Sequence, residues 1–159
     1  MKPDIKKLKE EQERFSKKII IKNDIDEIKY VAGVAQAFIN NNLEIISAIV
    51  VCNSNDMKVV DKAYSIMKVP MPFVQFFRSY RETPSIARAF SKLDKRPDLL
   101  IVEGDGINHP RKFGIASHIG LMLDIPSIGV FDKLIYGEVK NGRIYIENES
   151  RGILLQTKE

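Results

Sequence analysis

The sequence predicts an α/β domain with a mixed sheet, and three observations predict it. Tyr30 to Phe38 and Leu43 to Cys52 are β-rich runs joined by Ile39-Asn40-Asn41-Asn42, a hairpin signal that makes the front of the sheet antiparallel. The apolar run 99–102, a helical pattern over 113–123 and the strand Ser127 to Phe131 form a β-α-β unit with a right-handed crossover. No stretch repeats and no low-complexity linker divides the chain, so its 159 residues read as one domain, 1–159.

Each element has its own signal. Ile5, Leu8, Phe15 and Ile19 recur at near-helical spacing among Lys and Glu, which predicts an amphipathic helix over about 3–18. Asn23-Asp24 separates that helix from the first strand. After the first hairpin, the turn Asn53-Ser54-Asn55-Asp56 leads into a third strand over 57–64. Thr83-Pro84 reads as a helix start, with Thr as the cap and Pro at the first helical position. Ile86, Ala89, Phe90 and Leu93 follow at helical spacing, and Arg96-Pro97 ends that helix. Asn141-Gly142 is a tight-turn dipeptide joining strands 136–140 and 143–147, and 152–156 is the last strand. An antiparallel front, parallel β-α-β crossovers and flanking helices make up the RNase H-like arrangement, although periodicity alone does not separate it from other α/β folds.

Composition narrows the setting. There is no apolar run of about 18 residues, so no membrane span is expected. Met1 to Lys18 is charged and has no apolar segment of the kind that directs secretion. The single cysteine, Cys52, excludes an internal disulfide and reads as a buried thiol. Together these features favour the cytoplasm. A net charge of +4 and a pI of about 9.1 are compatible with a nucleic-acid partner, but the basic residues are spread along the chain.

The segment 99–120 carries the most chemistry. A buried strand delivers Glu103 to its carboxyl end, where α/β proteins bind ligands. Gly104, Asp105, Gly106, His109, Arg111 and Lys112 follow, and then the helix begins at Phe113-Gly114-Ile115. Free N–H groups at a helix start, beside a basic pair, suit a phosphate. Each residue also has an ordinary reading. Glu82 is a helix-start acid, Asp105 a solvated turn residue, His109 a loop cap, Arg111 and Lys112 a solvated pair. His118, inside the helix, is expected to pack against the sheet. Phe73, stiffened by Pro70 and Pro72, is either a core aromatic or a base-stacking wedge, with Phe76 and Phe77 nearby expected in the core.

The order of segments resembles the endonuclease V family of deoxyinosine-directed repair nucleases. Tyr30-Val31-Ala32-Gly33-Val34 is similar to its first strand, and Tyr80-Arg81-Glu82 to its Phe-Arg-Glu element. Pro72-Phe73 stands where the family has a Pro-Tyr-Ile-Pro strand-separating wedge. Gly104 to Gly120 matches the signature D-G-x-G-x-x-H-P-R-x-x-G-x-A-S-H-x-G from its second position on, and Pro126 to Val130 matches the next strand.

The resemblance implies phosphodiester hydrolysis near inosine in DNA or RNA, with Mg²⁺ or Mn²⁺ held by carboxylates from separate strands. On it, Glu82, Glu103 and His109 are the catalytic candidates, and Glu82, Glu103, Asp105 and Asp132 the metal-ligand candidates. Phe73, Gly106, Arg111, Lys112, Gly114 and Ile115 are the nucleic-acid-binding candidates, the glycines and Ile115 lying near the family's pocket for an everted base.

Three departures accompany the match. The first-strand Asp is Ala35, and Gln36 cannot replace it because adjacent strand side chains point to opposite faces. The Lys expected after Ile128-Gly129-Val130 is Asp132. The match also ends at the strand 154–159, before the family's next strand, its P-G-H segment and its last helices, which predicts an open sheet edge or apolar face prone to self-association. Three readings stay open on these grounds: a weakened metal-dependent nuclease, a non-catalytic binder of deaminated or distorted nucleic acid, and a dimerising remnant.

Overall fold

The computed structural model describes residues 3–23 and 25–157; the break at Asp24 and the last two residues of the terminal match lie outside them. The described residues form eleven elements: α1 (Ile5–Ser16), β1 (Tyr30–Ile39), β2 (Glu44–Asn53), β3 (Val59–Lys68), α2 (Arg78–Phe90), β4 (Leu99–Glu103), α3 (Ile115–Leu123), β5 (Ser127–Val130), β6 (Glu138–Lys140), β7 (Arg143–Ile146) and β8 (Glu149–Ile153). A five-stranded sheet runs β3-β2-β1-β4-β5, and a separate three-stranded sheet runs β6-β7-β8. β1 pairs antiparallel with β2, and β2 with β3; β1 with β4 and β4 with β5 are parallel. The antiparallel front and parallel crossover are therefore as the sequence predicts.

Both helices that matter to the site cover one face of the large sheet. Ala32 and Val34 of β1, Ile49 and Val51 of β2, and Leu100 and Val102 of β4 pack under Ile86 and Ala89 of α2 and Ile115, Ala116 and Ile119 of α3. The alternation that buries them sends their neighbours to the opposite face. There Val50, Tyr64, Ile66, Ile101, Ile128 and Val130 stand exposed. Ala35 belongs to this open face. The parallel register pairs Val34 with Val102, so the next positions along, Ala35 and Glu103, are neighbours on it.

Three boundaries differ from expectation by more than the two residues seen at α1, α3 and β6. α2 starts at Arg78, not at Thr83, and Pro84 sits inside it. The reason is visible in its buried face: Ser79, Glu82, Thr83, Ile86 and Ala89 continue one helical stripe, but its first half is polar and so carries no hydrophobic period. β3 begins at Val59, because Asn53 to Met57 turn back on themselves, with Met57 N–H donating to the Asn53 carbonyl at 2.9 Å. The strand expected at 152–156 is β8, shifted to Glu149–Ile153 by a second tight turn at Glu147 and Asn148, both at positive φ. Cys52 is half-buried rather than fully enclosed. No helix of the described residues is long and apolar enough to cross a membrane.

Candidate functional site

The carboxyl ends of β4 and β5 open into a cavity of about 180 Å³, closed on its other sides by the loop before α2 and the loop after β5. Phe73, Phe76, Phe131 and Tyr136 supply its aromatic walls; Arg78, Glu103, Asp105, Asn108, Asp132 and Lys133 supply its charge and polarity.

Backbone geometry shapes this floor. Gly104 has φ +135°, a conformation L side chains rarely adopt, and a Cβ there would meet Ile115 and Arg78. A Cβ on Gly114 would collide with the Asp105 carbonyl. The chain thus folds tightly enough for the Ala116 N–H to donate to that carbonyl at 3.0 Å and for Gly114 N–H to donate to the Gly106 carbonyl at 2.9 Å. Asp105 ends close to the Ile115 amide at the start of α3; burial nevertheless raises its pKa above the usual carboxylate range.

The two matched acids meet on a cation of the chain itself. The Arg78 Nε donates to Glu82 Oε1 at 2.8 Å, one helical turn along α2. Its Nη2 donates to Glu103 Oε2 at 2.9 Å and its Nη1 to Glu103 Oε1 at 3.4 Å. Glu82 is 2% exposed, and its second oxygen is buried with no hydrogen-bond partner among the described residues. Burial raises the Glu82 pKa, against the pull of Arg78. Glu103 lines the cavity, while Glu82 lies behind Arg78.

These residues do not fit a divalent ion as they stand. Among the described residues, no three His, Cys, Asp or Glu side chains gather into a metal-binding group. Asp105 and Asp132 line the same cavity as Glu103 without forming such a group with it, and Ala35 offers no oxygen from its side chain. Of the three catalytic candidates, Glu103 and His109 line the cavity, and Glu82 reaches it only through Arg78.

His109 is fixed as a strut. Its Nε2 bonds the Phe76 carbonyl at 3.0 Å, and the Arg111 N–H donates to its Nδ1 at 3.1 Å. Both ring nitrogens are thus engaged by backbone in the neutral tautomer, and burial pushes the pKa down to about 4. Phe76 itself sits at φ +66°, with its ring edge-on to His109. Its carbonyl also accepts from Gln12 Nε2 at 2.9 Å and Arg111 Nη2 at 3.3 Å. Gln12, fully buried on α1, helps seat that helix behind the cavity, together with Phe15 packed on Phe113 and the Leu8 carbonyl accepting from Tyr80.

The basic pair does not serve the cavity. Arg111 turns inward, donating from Nε to Gln12 Oε1 at 2.6 Å and stacking over Phe77. Lys112 pairs with Glu149 at 2.7 Å. Gly106 is absent from the cavity lining and packs near Ser117, Ala116 and Gly129 instead. Gly114 and Ile115 do line it, as does Phe73, which is 63% exposed. Phe77 is core and Phe76 is cavity wall. His118 packs edge-on against Tyr80, and burial lowers its pKa to about 4.

Lining or bracing residues that escape sequence reading include Gln12, Arg78, Asn108, Phe131, Lys133 and Tyr136. Lys133 had a signal, since it adjoins the position where a cation is expected. Asn108 is 7% exposed with Oδ1 unpartnered among the described residues, which only the fold reveals.

Comparison with known proteins agrees with this architecture. The endonuclease V of Dictyoglomus thermophilum is 40% identical over 156 residues, covering 93% of this chain and 68% of that protein. That of Geotalea uraniireducens is 35% identical over 157 residues, covering 99% and 65%. This chain therefore spans about two thirds of the length of those relatives. The crystal structure of Bacillus subtilis endonuclease V superposes with a TM-score of 0.86 at 26% identity, covering 99% of this chain and 73% of that one. Ciona intestinalis endonuclease V, solved with a 23mer DNA containing an inosine followed by a ribo-adenosine, gives 0.76 at 27% identity, covering 82% and 58%. The sheet is accordingly RNase H-like. With the family model for endonuclease V matching residues 13–159, through the strands and loops that build the cavity, the chain belongs to the endonuclease V family.

Proposed function

We propose that this chain is a nucleic-acid-binding member of the family that takes an unstacked base, inosine first among candidates, into the cavity and hydrolyses the strand weakly or not at all. The observation that carries the reading is the composition of the cavity. Four aromatic rings offer stacking surfaces. Asn108 Oδ1 is an acceptor without a partner among the described residues, of the kind that takes the N–H a 6-oxopurine presents and adenine lacks at ring position 1. Lys133 lines the cavity and supplies a cation for a phosphate. The catalytic side of the family's chemistry finds less support. Ala35 removes one carboxylate, Asp132 reverses a charge, and Arg78 holds the two remaining acids. Mg²⁺ or Mn²⁺ dependence is what membership of the family implies.

The test uses labelled DNA and RNA strands carrying a single inosine or adenine, with Mg²⁺, Mn²⁺ or chelator, scored for retention and for nicking. Retention of inosine strands over adenine strands without product is expected. Phe73→Ala and Asn108→Ala should each weaken retention about tenfold, the worth of one stacked or hydrogen-bonded base contact. Absence of inosine-dependent retention contradicts the reading.

A second reading, self-association, is favoured by the open sheet face with its exposed Ile101, Ile128 and Val130. It predicts a concentration-dependent mass in sedimentation that Ile101→Lys abolishes; a monomer at every concentration excludes it.

A further inference from the structure

The acids that the family places on a divalent ion already share a cation in this chain, and the way they share it is a built feature. The Arg78 guanidinium lies between elements distant in sequence: Glu82 on its own helix at 2.8 Å, Glu103 at the end of β4 at 2.9 Å. Gly104 borders it closely: a Cβ there would stand 3.2 Å from Nη1. Glu82 contributes a second observation. It is 2% exposed, yet one of its oxygens has no partner among the described residues, so its carboxylate is a buried ligand only half used. A planar fork suits two carboxylates better than a point charge does.

We propose that Arg78 is the resident cation of this cavity, seated between Glu82 and Glu103 in place of a divalent ion, so that the native chain holds both acids without metal. Removing the guanidinium opens the pair, with the free Glu82 oxygen, to a divalent cation. Arg78 is then the residue that decides whether the cavity takes metal. Its reach is set by α2 beginning at Arg78, which puts the side chain one turn before Glu82 and over the end of β4. The inference rests on reading the cavity as the family's site, but its test needs no nucleic acid, so its failure and the failure of the binding reading are separable.

The experiment is titration of the full chain with Mn²⁺ alone, followed by electron paramagnetic resonance and by thermal unfolding. The native protein is expected to bind no Mn²⁺ at submillimolar concentration and to unfold at the same temperature with Mn²⁺ as with chelator. Arg78→Leu should bind one Mn²⁺ per chain at least about tenfold more tightly, and be stabilised by it. Glu82→Gln in the Arg78→Leu background should lose that gain. Arg78→Lys, which keeps a cation, should resemble the native protein. If Arg78→Leu does not fold, Arg78→Gln, neutral but able to hydrogen-bond, carries the same test. Native protein binding Mn²⁺ as tightly as the folded neutral variant overturns the proposal, and so does a folded neutral variant that gains no binding.

Discussion

Arg78, His109 and His118 carry most of the physical consequence at the scale of single residues. Glu82 is buried and has one charged partner, so truncating that partner strands a carboxylate. Arg78→Ala is predicted to cost about 3 kcal/mol, in the range for breaking a buried pair by removing one member. Replacing both, as Arg78→Leu with Glu82→Leu, should cost less than Arg78→Ala alone. Urea denaturation of the three proteins measures this difference. The histidines set the acid response. Burial holds both near pKa 4 in the folded chain against about 6.5 when exposed. Between those values the unfolded state binds more protons, so stability falls as pH falls from about 7 toward 4. The loss by pH 5 is on the order of 1–2 kcal/mol per histidine. Glu82 and Asp105 act oppositely, because their raised pKa values destabilise the fold as pH rises through them. His118→Phe removes one titrating group from a mostly aromatic environment and should flatten the drop between pH 7 and pH 5; an unchanged slope contradicts the assignment.

Elements show what a one-dimensional reading can and cannot reach. β1, β2 and β4 were legible because their period-2 and fully apolar runs leave no competing interpretation. The start of α2 was not, because Ser79 and Glu82 occupy buried positions with polar side chains, and the Thr83-Pro84 pair imitates a cap. A proline in a helix interior goes without one backbone bond; here the helix holds because its other face is packed on β2 and β3, with Ser65 Oγ donating to the Ser85 carbonyl at 2.7 Å. The β4–α3 loop was recognisable by its glycines, and its tolerance follows from them. Gly114→Ala would drive a methyl into the Asp105 carbonyl and is predicted to destabilise by about 2 kcal/mol or more. Gly142→Ala meets open space but sits at φ +72°, so only its backbone strain, about 1 kcal/mol, should register. Thermal unfolding of the two variants separates collision from strain.

Across the whole molecule, the sheet arranges the chemistry that the sequence only enumerates. Glu82 and Glu103 are named by motif, but that one arginine joins them comes from three-dimensional placement, since Arg78 lies 25 residues from Glu103. The same holds for Arg111, which by charge alone faces a phosphate and in the fold braces α1 through Gln12. Ala35 and Glu103 share the open face, so Ala35→Asp would set a carboxylate beside the one already there. Combined with Arg78→Leu and Asp132→Lys, that change is predicted to raise nicking of inosine-containing strands above that of the native chain, because it removes the resident cation and returns the expected acid and base to their positions. The most direct measurement is incubation of the native protein with an inosine-containing strand in Mn²⁺, resolved for both bound and cut material. Bound, uncut strand is the predicted result; rapid nicking beside inosine that Glu82→Ala abolishes would contradict the account.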